Sequence, residues 1–353
     1  MIVHRITGTR NRMRGRGMSV VITFFLALLF ALSLQDARGA EENKKDSTKG
    51  SHHALTYVSA PPGTAHYSIA VGQAQLLSKK GFQVVVQPAP GSLVIPDLVA
   101  SREADLGIGM SPTVYWAYEG KEEFKKPYKF IRLLMVGSDS IFSIVTRSET
   151  GIKTIPDLKG KRLTGDYPTS RFQTLLTELE LQAYGLSRKD VVMRKAEFSN
   201  QGLDDLASRR TDAVQVAIVG PRFQDLATKV KKIVVLPVDE DKLNQIKKAF
   251  PMVLAGRTKA GLPVDVGVPG IAVPCVLYAT ETFSDETAYF IVKTLLENQK
   301  DLIPVYREFV DWTPQRAVTN LRMPYHPGAI RYYREKGLWT PEMEKMQQAL
   351  LGK

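Results

Sequence analysis

Cysteine occurs once in the 353-residue chain, as Cys275. No internal disulfide can form, so stability has to come from a buried core, which a chain of this length can supply. The thiol sits in the apolar run Ile271-Ala-Val-Pro-Cys-Val-Leu-Tyr-Ala279 and reads as a buried structural residue rather than a nucleophile. Histidine is scarce too. Of five in all, His52 and His53 are adjacent with no third ligand at coordinating spacing, so no metal site is expected. There is no G-x-S-x-G elbow, H-E-x-x-H, Walker loop, G-x-G-x-x-G fingerprint or paired C-x-x-C, the local patterns by which many enzymes place their reacting groups. Neither an enzyme nor a cofactor is expected. Basic runs interleaved with aromatics are also missing, which argues against a nucleic-acid partner.

The apolar run Val20 to Leu34 has fifteen residues without a charge, short of the roughly 18 to 20 that a helix needs to cross a bilayer. It follows Arg5, Arg10, Arg12, Arg14 and Arg16 with no acid among them, and precedes the small residues Ala37 and Gly39. A basic start, an apolar centre and a small-residue end make the pattern of a cleavable secretory signal. Cleavage is expected after Gly39, with Ala37 or Ala40 as alternatives, giving a periplasmic protein. The formal net charge of +12 then falls to +7, since 42 basic and 35 acidic residues remain. Residues 40–53 are polar and read as a flexible leader.

The stretch Leu55 to Gly72 organises the rest of the chain. A β-favouring run meets Pro61, Pro62 and Gly63, and Thr64 then stands where a helix N-cap belongs. Such a strand-turn-helix points unpaired N–H groups and a partial positive charge at the carboxyl end of a sheet, where anions bind; equally, it is an ordinary βα turn with Thr64 as its cap. Strand-like and helix-like segments then alternate. Strands are expected at Phe82–Gln87, Leu106–Met110, Ile131–Gly137 and Ile141–Thr146, with a helix at Leu93–Ser101 and Ser92 as a second candidate anion contact. The connection Gly151–Leu163 is read as the crossing into a second lobe. There strands at Arg162–Gly165, Val191–Lys195, Ala213–Ala217 and Ile233–Leu236 are interleaved with helices from Ser170, Leu203 and Pro221. Gly256–Gly270 reads as a return hinge, Ile271–Ala279 as a strand back into the first lobe, and the remainder as helices at 284–297, 301–309, 328–336 and 341–351.

An internal echo supports two similar α/β lobes. Ala100-Ser-Arg102 with Asp105 recurs as Ala207-Ser-Arg209 with Asp212, each a helix end, a turn and a buried strand. Each aspartate is expected to cap its turn. A proline follows each strand, Pro112 and Pro221, and suits the first turn of a helix opening at a cleft.

The stretches Gly63-Thr-x-x-Tyr67, Val86-Gln-Pro-x-x-Gly-Ser92, Leu98-Val-Ala-Ser-x-Glu-Ala-Asp-Leu106, Gly151-Ile-Lys-x-Ile-x-Asp-Leu-Lys-Gly-Lys-Arg162 and His326-Pro-Gly-Ala-x-Arg-Tyr-Tyr-Arg-Glu-Lys-Gly337 resemble the TAXI family of TRAP-transporter solute receptors. The last is the most specific. The resemblance implies a type II periplasmic binding protein: two α/β lobes, here 54–150 and 151–260, with 261–353 returning to complete lobe one, and a ligand cleft between them. It further implies a monomeric receptor that captures a small dicarboxylate or glutamate-like solute by lobe closure and delivers it to membrane permease subunits. By position Gly63, Thr64, Tyr67, Ser92 and Ser111 would be lobe-one contacts. Met110 stands where the family usually has glutamine, Pro112 where an acid is common, and Gly165-Asp-Tyr-Pro-Thr-Ser-Arg171 replaces a small Gly-Ser-Gly-Thr turn.

In that altered turn Thr169 and Ser170 can cap the next helix, while Arg171 in its first turn opposes the helix dipole. A carboxylate ligand or an ion pair with Asp166 would each explain it. Gln215 is either an amide contact in the cleft or a buried, satisfied side chain. An alternative use of the same fold is a ligand sensor that signals to a membrane partner.

Overall fold

The structure, a computed structural model, describes residues 54–319 and 322–352. The expected signal peptide, the leader and the His52-His53 pair lie outside the described residues. Three parallel strands open the chain. β1 (Leu55–Ser59) runs into α1 (Ala65–Lys79), β2 (Val84–Pro88) into α2 (Val94–Ala100), and β3 (Leu106–Met110) into α3 (Ser111–Glu119). They pair in the order β2-β1-β3. After the long β4 (Ile131–Arg147) the same unit recurs: β5 (Arg162–Asp166), α4 (Arg171–Ala183), β6 (Val192–Lys195), α5 (Ser199–Ala207), β7 (Ala213–Ala217) and α6 (Pro221–Lys229). These strands pair in parallel as β6-β5-β7.

Between the two trios lie β4 and β10 (Pro269–Thr280), an antiparallel pair that belongs to both halves. β10 pairs with β3, and β4 pairs with β7, giving one ten-stranded sheet to which β8 (Ile233–Val235) and β9 (Leu254–Arg257) are added. The chain is therefore α/β with the two-lobed architecture of type II periplasmic binding proteins. Lobe one is the β2-β1-β3 half and lobe two the β6-β5-β7 half.

The echo has a structural cause. In lobe one the Thr56 N–H donates to Asp105 Oδ2 at 2.8 Å, and in lobe two the Arg162 N–H donates to Asp212 Oδ2 at 2.9 Å. Each aspartate binds the entry of the neighbouring parallel strand, and each preceding arginine takes a left-handed conformation, φ 64° at Arg102 and 61° at Arg209. The repeated residues thus make the same two-strand joint twice. Arg162 also pairs with the Asp212 carboxylate, which holds that acid below its usual pKa range.

Several expected boundaries move. Ile131–Gly137 and Ile141–Thr146 are one continuous strand, because Gly137 to Ser140 stay extended beside β10 and β4 absorbs the irregularity as bulges, with one extra residue opposite Pro274–Val276 and another opposite Leu277–Tyr278. The hinge-like Gly256–Gly270 contains the end of β9 and turns back into β10, its hairpin partner. Helix α7 (Glu240–Ala249) is additional to the sequence reading. The expected helix over 284–297 is α8 (Asp285–Glu297), whereas the one over 301–309 breaks at Pro304 into α9 (Gln299–Leu302) and a 3-10 turn at Arg307–Asp311.

After α10 (Pro314–Ala317) the chain ends in α11 (Pro327–Glu335) and α12 (Pro341–Leu350). The distinctive His326–Gly337 stretch builds the first of these. His326 is fully buried and caps α11, its Nδ1 accepting from the Gly328 N–H at 3.2 Å while Nε2 faces the Phe283 carbonyl at 3.1 Å. Burial pushes its pKa down. Gly328 lets α11 press on α8, since a Cβ there would sit 2.2 Å from the Asp285 carbonyl oxygen. Gly328→Ala is expected to cost about 3 kcal/mol in urea unfolding, the upper range for forcing a methyl into a packed backbone contact. The motif is a packing device, set among Tyr332, Tyr333 and Tyr325, all buried.

Candidate functional site

Both strand trios point their carboxyl ends at one cleft, the usual ligand position in open α/β sheets. The cleft encloses about 840 Å³ of non-atom space, its open mouth included. Lobe one contributes the turn before α1, the turn before α2, and the end of β3. Lobe two contributes the starts of α4, α5 and α6, and the middle of β4 contributes Ser140 and Phe142. Helices α1, α4 and α5 begin here, and the N–H groups of a first helical turn have no acceptor inside their own helix.

The lobes touch across this cleft. Asn200 Nδ2 donates to the Pro62 carbonyl at 3.3 Å, the Arg222 N–H donates to the Gly63 carbonyl at 3.4 Å, and Ser92 Oγ donates to Ser170 Oγ at 3.4 Å. Gly91 lies so close to Thr169 that a Cβ would stand 2.5 Å from Thr169 Cβ. At the mouth Arg171 Nε is 3.8 Å from Glu122 and 3.7 Å from Glu123 of lobe one. Beside it Trp116 of α3 and Phe172 of α4 have ring centroids 6.1 Å apart, with Phe142 and Phe250 completing the cluster.

Of the residues expected at the site, the structure brings Gly63, Thr64, Ser92, Thr169 and Ser170 together around the cleft. Two of these hydroxyls are committed within their own lobe. Thr64 Oγ1 donates to the Pro61 carbonyl at 2.7 Å and accepts from the Tyr67 N–H at 3.3 Å, so it acts as a helix cap. Thr169 Oγ1 donates to the Glu197 carbonyl. Gly63 has φ +83°, and it leaves room for the Arg222 stem, which a Cβ would meet at 2.7 Å.

Tyr67, Ser111, Arg171 and Gln215 do not line the cleft. Tyr67 is half-buried on α1, and Ser111 is fully buried with its hydroxyl unpartnered. Arg171 turns to Glu122 and Glu123, and the expected Asp166 pairs with Arg188 instead. That correction follows from the direction of α4, whose first turn faces lobe one while β5 ends beneath it. Gln215 is fully buried, with neither amide atom hydrogen-bonded. Its backbone carbonyl accepts from Tyr167 Oη at 2.7 Å and Gln173 Nε2 at 2.9 Å.

The sequence reading misses Arg222, Gln173 and the apolar wall of Met110, Phe142, Phe198 and Phe223. For Arg222 a signal exists, since Pro221 marks a helix start beside the cleft. No local pattern marks the aromatic residues. His66, on the first turn of α1, also lines the cleft. Burial pulls its pKa down to about 4, so it is neutral at physiological pH.

A family model described as NMT1-like matches residues 58–337. The chain belongs to the NMT1-like family. Solved structures agree in fold. A protein described as a periplasmic transporter superposes on the NMT1-like chain with a TM-score of 0.53 at 14% identity, covering 86% of this chain and 97% of that one. The periplasmic binding protein BugD gives a TM-score of 0.53 at 11% identity over 84% of this chain and 97% of its own. Among curated proteins, one of Haemophilus influenzae named for thiamine biosynthesis is 28% identical over 136 residues, 38% of this chain and 40% of that relative's length. The NMT1-like chain thus matches less than half the length of that relative. Among its described residues no group of three or more His, Cys, Asp or Glu side chains could hold a metal ion, and no helix is long and apolar enough to cross a membrane. Cys275 is buried, and burial pushes its thiol pKa well up, as suits a packing residue.

Proposed function

We propose that this NMT1-like protein is an extracytoplasmic solute receptor of the TAXI kind, which captures a small organic anion between its lobes and passes it to a TRAP-type membrane permease. The observation that carries the reading is the closed cleft itself, where helix starts from both lobes converge and Gly63, Gly91 and Asn200 touch the opposite lobe. A solute touching both lobes stabilises the closed arrangement over the open one by its differential affinity. Oriented N–H groups and the positive ends of α1 and α4 favour a negative group between them. Gly63, Ser92 and Ser170 frame that position. The signal-like sequence of residues 1–39 and the resemblance to TAXI receptors support delivery to a permease, with the protein acting as a monomer.

The test is thermal melting of the purified protein against organic acids, neutral sugars and polyamines. At a hundred times its Kd, a ligand of the folded state alone adds about 2.7 kcal/mol. A raised midpoint with acids, together with N-terminal sequencing that finds residues 1–39 removed in the periplasmic fraction, is expected. A raised midpoint with sugars or polyamines and with no acid would overturn the anion receptor.

A further inference from the structure

The solute class can be narrowed from the chemistry of the cleft wall, a step that rests on the receptor reading. Among the described residues the wall holds no aspartate, glutamate or lysine. Its one permanent cation, Arg222, is engaged: Nη2 donates to both Asp204 carboxylate oxygens, at 2.7 and 2.6 Å, and Nη1 lies 3.6 Å from Asp225. His66 is neutral. The wall therefore offers a solute neither an acidic counter-ion nor a free side-chain cation.

What remains is unequally divided. Ile108, Met110, Phe142, Val216, Phe198 and Phe223 present a broad apolar surface drawn from both lobes and β4. Polar capacity is confined to helix starts, among them His66, whose Nε2 is buried without a partner, and to two side chains that are more than nine-tenths buried. Ser140 is 7% exposed, with no partner for its hydroxyl among the described residues. Gln173 is 5% exposed; its Nε2 donates to the Gln215 carbonyl, and its Oε1 has no partner among the described residues. This is room for one anionic head, donated to by the Ser140 hydroxyl and the helix-start N–H groups, and an apolar body; the free Gln173 Oε1 is an acceptor and adds no donor.

We propose that the solute is a monocarboxylic acid with an apolar body and no ammonium group. A buried ammonium requires an acceptor carboxylate, and the wall has none. A second carboxylate would be desolvated against phenylalanine and isoleucine without a cation. A single carboxylate needs only the N–H groups and helix ends that the cleft supplies.

Isothermal titration with matched compounds decides it. The expected result is that 3-phenylpropanoate and 4-methylpentanoate bind, and that L-phenylalanine, L-leucine, L-glutamate and glutarate bind at least about tenfold more weakly, as an unpaired buried charge demands. If glutarate or L-glutamate binds most tightly, the monocarboxylate assignment fails while the anion receptor stands. If neutral 3-phenylpropanamide matches its acid, both fail; if none of these compounds binds, the assignment fails as well. Phe198→Glu places a carboxylate at the rim, where Phe198 is 37% exposed and so contributes little to the packed core. It should weaken 3-phenylpropanoate at least about tenfold with the unliganded melting midpoint unchanged. Undiminished binding by that variant would show that the acid does not occupy this cleft and would overturn the assignment.

Discussion

Replacing Gly91 with valine is expected to abolish solute binding while leaving the unliganded protein folded. A Cβ at residue 91 would lie 2.5 Å from Thr169 Cβ and 2.6 Å from the Thr169 carbonyl oxygen. Both belong to the opposite lobe, so the clash exists only when the cleft is shut. Overlap of this kind costs about 3 kcal/mol, or about 100-fold in affinity. Gly91 is not among the residues with positive φ, so valine is not strained by the local backbone. Titration should show the loss, and small-angle scattering of the variant should show the more extended form whether or not solute is present. Unchanged affinity would mean that this shut arrangement is not the binding one.

A second large effect concerns lobe two. Glu180 is fully buried on α4, and neither carboxylate oxygen has a hydrogen-bond partner. Burial raises its pKa to about 8; the Gln215 amide lies close enough to temper the rise but not in hydrogen-bonding geometry. The folded protein therefore keeps a proton that the unfolded chain releases near pH 4.5. Stability on this account is full below the unfolded value and declines as pH rises towards 8, where the folded carboxyl itself ionises. At pH 7 the penalty is about 3 kcal/mol. Glu180→Gln removes it, because a neutral amide has no charge to desolvate. Urea unfolding should show parent and variant equally stable at pH 4.5 and the variant ahead by about 3 kcal/mol at pH 7. An equal difference at both pH values would mean that packing, not ionisation, separates them.

Both residues lie beside features that are visible in the sequence, but neither role is visible there. Pro88-Ala-Pro-Gly-Ser92 reads as a turn ending in a cap; the turn forms, but α2 starts after Leu93 without a side-chain cap and Ser92 bonds Ser170 instead, and nothing within it says that Thr169, nearly eighty positions later, will press on Gly91. Gln215 reads as either a cleft contact or a buried amide, and only the pairing of β7 against β4 turns it inward, opposite α4. Arg171 reads as the partner of a ligand or of Asp166, yet the chain of lobe one brings Glu122 and Glu123 to it.

Signals that act within a few residues, or that repeat along the chain, are legible in the order of the amino acids alone. Thr64 and Ser284 cap their helices, Pro112 and Pro221 open theirs, and the Asp105 and Asp212 joints announce two copies of one βαβαβ unit. Those signals are local because capping and strand-entry hydrogen bonds are short in range and need particular donors and acceptors. Which side chains face the cleft, and which of them are free to bind, is settled only when the lobes assemble. That depends on β4 and β10 running unbroken through both lobes and on the angle at which they bring the two copies together. Residues from 60 to 223 meet there, and their apolar or polar character carries no periodicity along the chain, since a cleft wall is assembled from the ends of elements rather than from their faces.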